Sequence, residues 1–130
     1  MKLSTKSRYA ARCLIDLAIY GKEHPLSITE IGSREQISER YLELIFATLK
    51  KAGFITSARG SQGGYQLIRP IESITIYEII QLMENDTCIV SKQDETDPMK
   101  KMLMREVWTP IDDSLKLYLS ELTIAELSLS

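Results

Sequence analysis

Six residues, Arg59-Gly60-Ser61-Gln62-Gly63-Gly64, constrain this 130-residue chain more than any others. Three are glycine, and they separate two runs rich in β-branched and aromatic residues, Phe54-Ile55-Thr56-Ser57-Ala58 and Tyr65-Gln66-Leu67-Ile68. Two β-prone runs joined this way predict a hairpin, and glycine lets its connector lie close against another surface. A nucleotide-binding loop is the rival reading. It fails because no Gly-Lys-Ser/Thr follows and the loop joins two strands, not a strand and a helix.

What precedes the hairpin gives it meaning. Ala10, Cys13, Leu14, Leu17 and Ala18 recur at helical spacing and predict a helix over about 5–20, with Gly21 as its C′ residue and Pro25 barring continuation. Ser27-Ile28-Thr29-Glu30 reads as a capping box opening a short helix to about Glu35. Gln36-Ile37 turns the chain, and Ser38 caps a second helix whose apolar face is Leu42, Ile45, Phe46 and Leu49, ended by Gly53. Two short helices after a longer one make a helix-turn-helix plan. A hairpin following it is a wing.

Downstream, Thr75-Ile76-Tyr77-Glu78 opens another boxed helix with Ile76, Ile79, Ile80 and Met83 inward. Residues 85–97 are polar and acidic and read as a mobile loop. Pro98 then starts a long helix as its N1 residue. Met104, Trp108, Ile111, Leu115, Tyr118 and Leu122 follow at alternating steps of four and three, an a/d seam. The seam is either the core face of a helix folded back on its own domain or a contact between two subunits. Residues 1–84 read as able to close a small core alone, which favours the dimer. Pro110 should kink this helix or break it locally, and Thr123-Ile124-Ala125-Glu126 caps a short final one.

Charge agrees with a nucleic-acid partner. The net charge of −2 divides unevenly: residues 1–70 carry 11 Lys and Arg against 6 Asp and Glu, and residues 71–130 carry 5 against 12. A basic front half on an acidic chain suits a polyanion. Only two cysteines, Cys13 and Cys88, and one histidine, His24, are present. That set excludes a zinc finger or a Cys/His catalytic pair by ordinary spacing, and no nucleophile–base pair supports an enzyme. No apolar run approaches the roughly 18 residues of a membrane span, and Met1-Lys2-Leu3-Ser4-Thr5-Lys6 lacks a signal-peptide core, so the cytosol is expected.

The second helix of a helix-turn-helix enters the major groove N-terminus first. Its early residues here are Ser38, Glu39, Arg40, Tyr41 and Glu43. Ser38 and the free N–H groups beside it could hold a phosphate, Arg40 could bond guanine in a bidentate manner, and Glu43 could accept from cytosine. In the wing, Arg59 and Gln62 supply donors while Gly60 and Gly64 let the backbone approach a sugar-phosphate edge. The alternatives are that the helix residues are solvated side chains on an exposed face and that the connector is a plain flexible hairpin.

The run Ser38-x-x-Tyr41-Leu42-Glu43-x-x-Phe46-x-x-Leu49-x-x-Ala52-Gly53-Phe54-Ile55-x-Ser57-x-Arg59-Gly60-x-x-Gly63-Gly64-Tyr65-x-Leu67 resembles the bacterial winged-helix regulators of the IscR, NsrR and CymR type. The opening Leu3-Ser4-Thr5-Lys6-Ser7-Arg8-Tyr9-Ala10 and the closing Leu122-Thr123-Ile124-Ala125-Glu126-Leu127 fit the same family. The resemblance implies homodimers on a pseudo-palindromic operator, joined by the long C-terminal helix. It also implies DNA contacts from Ser38, Arg40, Glu43, Ser57, Arg59 and Ser61. Serine is common in the family where Arg40 stands, and proline where Ser61 stands, so the preferred operator should differ.

The family's sensing site is where this chain departs. IscR-like members hold an iron–sulfur cluster with three cysteines; here the loop offers Cys88 alone, Met102 stands at the last cysteine position and Arg105 at the histidine. A thioether and a guanidinium do not replace thiolate and imidazole on iron. The CymR branch also lacks the cysteine set.

The expectation is a mainly α fold with a small β-hairpin wing: a winged helix-turn-helix over 1–84, the loop over 85–97, and a dimerisation helix with a short terminal helix over 98–130. Its function would be that of a homodimeric DNA-binding regulator, a repressor, with no iron–sulfur cofactor and no membrane partner. Its signal would be Cys88 oxidation, a small effector or a regulatory protein partner. The alternatives are a cluster or thiol sensor built on Cys88 and an adaptor that no longer binds DNA.

Overall fold

A computed structural model describes residues 3–58, 63–85 and 97–129. In order they form α1 (Thr5–Tyr20), α2 (Ile28–Glu35), α3 (Glu39–Lys51), β1 (Ile55–Ala58), β2 (Gly64–Leu67), a 3₁₀ turn (Ile71–Ser73), α4 (Ile76–Glu84), α5 (Pro98–Leu103), a π segment (Met104–Trp108), α6 (Thr109–Glu121) and α7 (Ile124–Leu129). The fold is mainly α with one antiparallel hairpin, in which Ile55 pairs with Leu67 and Ser57 with Tyr65.

Side-chain caps set the helix starts. Ser4, Ser27, Ser38 and Thr75 each accept from a backbone N–H three residues on, and Ser27 closes the full box with Glu30. The box expected at Thr75 stays half-made. Glu78 does not reach back, because its carboxylate is taken by Arg69 at 2.9 Å. Asp97 caps the helix that Pro98 starts. Gly53 leaves α3 with φ +85°, a conformation that a side chain would strain.

The expected apolar stripes are the core. Ala10, Cys13, Leu14, Leu17 and Ala18 of α1 are buried against Leu42, Ile45, Phe46 and Leu49 of α3, and Ile79 and Met83 of α4 join them. A contribution from the far end of the chain was not anticipated. Ile124 is fully buried in the same core. Its N–H donates to Ile74 O and Ile76 N–H donates to Leu122 O, both at 2.9 Å, which seats α7 on α1.

Pro110 acts as a local break rather than an end. Backbone from Pro98 to Glu121 stays in the right-handed helical region, but the ladder widens to i→i+5 over Met104–Trp108, where Thr109 N–H reaches Met104 O. Proline brings no N–H and its ring crowds the carbonyl four residues back, so one turn of wider helix just before it accommodates both.

Candidate nucleic-acid interface

Helix α3 is anchored at its start. There the Ser38 hydroxyl accepts from Tyr41 N–H at 3.2 Å, so Ser38 is occupied as a cap, and Thr29 Oγ1 holds Glu39 at 2.5 Å. The Tyr41 ring packs edge-on against Tyr9 of α1 at 5.5 Å, which anchors the helix. Arg40 and Glu43 are exposed. They lie on the face opposite Leu42, Ile45, Phe46 and Leu49, and that face continues through exposed Ala47 to exposed Lys50 at steps of three, four and three.

The hairpin is secured to the same scaffold. Tyr65 packs its ring against Phe46 at 4.8 Å and exchanges backbone hydrogen bonds with Leu26, 3.0 Å and 2.7 Å, just before α2. Gly64 makes this approach feasible, since a Cβ there would lie 2.7 Å from the Leu26 carbonyl. Its glycine is thus explained by packing against the protein itself. Ser57 sits on β1, and its Oγ accepts from Lys50 Nζ at 2.7 Å. Sequence reasoning passed over Lys50, although its spacing from Arg40 and Glu43 was the available signal. Arg59, Gly60, Ser61 and Gln62 lie outside the described residues.

An ion pair ties α2 to α1. Asp16 of α1 is buried, and both its oxygens accept from Arg34 of α2 at 2.9 Å in a bidentate fork. Arg34 also covers the Tyr20 ring at 4.2 Å. Beside them Glu35 is bonded by Arg12, and burial followed by the nearby Asp16 raises its carboxyl above the ordinary range.

The expected seam divides. None of Met104, Trp108, Ile111, Leu115, Tyr118 and Leu122 is buried in the single chain. Leu115 and Leu122 are half-covered, and Met104 and Trp108 likewise within the π segment, while Ile111 and Tyr118 are exposed. Leu117 is exposed too, but about 100° round the helix from Tyr118 and so off that edge. Separately, α1 and α4 frame an apolar cleft of about 310 Å³ lined by Leu3, Ala11, Ile76, Ile79 and Ile80.

Cys88 lies outside the described residues. Cys13 is inert: burial first, then the Glu35 and Asp16 carboxylates, push its thiol up to about 12. Met102 is exposed, Arg105 is bonded to Glu106, and among the described residues no three Cys, His, Asp or Glu side chains converge as a metal site. Nor is any described helix long and apolar enough to cross a membrane.

Just before residues 86–96, Glu84 ties α4 to the start of α1. Its Oε1 accepts from Ser4 N–H, Ser4 Oγ and Ser7 Oγ at 2.8, 2.7 and 2.6 Å, which holds the carboxyl below its ordinary range. A depressed folded pKa stabilises above the unfolded value and is lost as pH falls through the folded one. Glu84→Gln should therefore cost about 1 kcal/mol at neutral pH and flatten the acid limb of stability. Urea midpoints measured between about pH 3 and 6 check this; an unchanged acid limb would mean these bonds contribute nothing net.

Comparisons with known proteins agree with this architecture. Residues 3–129 match the family described as "Rrf2: Iron-dependent Transcriptional regulator". The chain is 38% identical over 130 residues to Protein rrf2 of Nitratidesulfovibrio vulgaris, covering 98% of this chain and 87% of that one. It is 36% identical over 128 residues to the HTH-type transcriptional regulator CymR of Bacillus subtilis, covering 98% and 90%. The solved structure of CymR, the global cysteine regulator of B. subtilis, superposes with a TM-score of 0.86 at 35% identity, covering 98% of this chain and 96% of that one. The structure of T. potens IscR does so with a TM-score of 0.77 at 33% identity, covering 98% and 85%. The hairpin after a helix-turn-helix is accordingly a wing, and the chain belongs to the Rrf2 family of DNA-binding transcriptional regulators.

Proposed function

We propose that this regulator is a homodimeric repressor that reads a pseudo-palindromic operator without an iron–sulfur cluster. The observation that carries the reading is the exposed face of α3, where Arg40 and Glu43 project beside a wing secured through Tyr65. Arginine donating to guanine and glutamate accepting from cytosine would give base readout, and Arg59 on the wing would add a groove or backbone contact. Dimerisation is supported by the open apolar edge of Ile111 and Tyr118, which a lone chain leaves in water. Two copies would place two α3 helices on successive half-sites.

The donor set does not fit the iron chemistry named in the family description. With Cys13 locked in the core, Cys88 is the one thiol left to each chain. Signal input would then come through Cys88 oxidation, a small effector or a regulatory protein.

Selection of bound duplexes from a randomised pool tests the reading. A two-fold symmetric consensus is expected. Arg40→Ala should weaken binding to it by about 1–3 kcal/mol and relax the preference at one base pair per half-site. Equal binding of selected and scrambled duplexes would overturn sequence-specific function, and iron with acid-labile sulfide in protein made anaerobically would overturn the cluster-free assignment.

A further inference from the structure

We propose that Lys50 and Ser57 form a two-donor clamp on a single DNA backbone phosphate at the junction of α3 and the wing, an inference that rests on the DNA-binding reading of this face. Lys50 follows Glu43 by seven residues, about 20° short of two full helical turns, so both project to the same side. Lys50 lies ten residues beyond Arg40, roughly 15 Å along the axis. The major groove is about 12 Å wide. A helix that puts Arg40 at base edges therefore delivers Lys50 to the flanking strand.

Hydrogen-bond chemistry at this junction leaves donors in excess. Lys50 Nζ donates to Ser57 Oγ at 2.7 Å, bridging the last turn of α3 to β1. The ammonium keeps two further N–H groups, and among the described residues no carboxylate lies within ion-pair distance of it. Ser57 accepts that bond through its oxygen and retains its own hydroxyl proton, for which no acceptor is found among the described residues. A lysine in a last helical turn often serves only the helix dipole, near the terminal carbonyls. Here its bond goes to a hydroxyl on the wing. Two adjacent donors, one cationic, beside the exposed face of α3 match the non-bridging oxygens of one phosphate. The clamp would also couple wing and recognition helix, because either element moving separately opens it.

Fluorescence anisotropy on the selected operator duplex and on a scrambled duplex, across roughly 50–300 mM salt, tests the clamp through the counterions released per phosphate. Lys50→Gln should make the slope of log K against log salt shallower by about 0.9 on both duplexes, and Lys50→Arg should restore it. Ser57→Ala should weaken both by the same factor, about 3- to 10-fold, with the slope intact. A wild-type slope in Lys50→Gln overturns the clamp, and so does a loss confined to the operator, which would make Lys50 a base reader. Wild-type protein that binds neither duplex would overturn the DNA-binding reading itself, an outcome distinct from either.

Discussion

Arg34→Ala should lower folding stability by about 3 kcal/mol, among the largest effects of any single side chain outside the apolar core. The reason lies with the partner left behind. Asp16 has a side chain with no solvent exposure, and Arg34 supplies both of its hydrogen bonds while remaining 32% exposed itself. Removing the guanidinium leaves a buried carboxylate beside Glu35, without the two charge-assisted bonds that offset its desolvation. Breaking a buried pair in this way costs about 3–5 kcal/mol, and the exposed third of Arg34 argues for the lower end. Asp16→Ala on the Arg34→Ala background should recover part of the loss, since no buried charge then remains. Chemical denaturation of the four proteins closes the cycle; a coupling below about 1 kcal/mol would reduce the pair to an ordinary surface bridge. The consequence extends to function because this fork sets the angle of α2 on α1, and α2 carries the turn into α3.

Much of that scaffold could be read from the chain. Helical periodicity named the buried faces of α1 and α3, and the three-glycine connector named the wing, because both signals are local and physically forced. Features decided by distant partners were not legible. Glu84 gave no sign that it would bond Ser4 and Ser7 nearly eighty residues away, and the Thr75–Glu78 box looked complete until Arg69 claimed the carboxylate. Ile124 occupies a short apolar run that fits a surface helix as well as a core one, and only its pairing with Ile74 settles the matter. The seam illustrates the same limit. A four-three repeat states that one side of a helix is apolar, but not which neighbour covers it. In the structure its residues divide, Leu115 and Leu122 half-covered and Ile111 and Tyr118 open to solvent. At the candidate site, position early in the second helix singled out Arg40, Tyr41 and Glu43 but gave no hint that Tyr41 would pack on Tyr9, or that Gly64 would make room for Leu26.

That division supplies a cleaner test of the dimer than any substitution chosen from the repeat alone. Leu115→Asp would damage a position already half-covered within the single chain, so lost dimer and lost fold would be confounded. Ile111→Asp combined with Tyr118→Asp avoids this. Both side chains are exposed, at 43% and 61%, so in a lone chain the new carboxylates remain in water and cost little. In a dimer joined along this edge they would be buried without partners, at several kcal/mol for each desolvated carboxylate. The double variant should therefore keep its helical circular dichroism while sedimenting as a monomer. Operator affinity should fall by at least about 100-fold, because a monomer forfeits the effective concentration that one half-site contact lends to the second. Binding to a single half-site should change little. A double variant that still sediments as a dimer would move the subunit contact away from α6, and the apolar cleft of Leu3, Ala11, Ile76 and Ile80 would become the surface to mutate next.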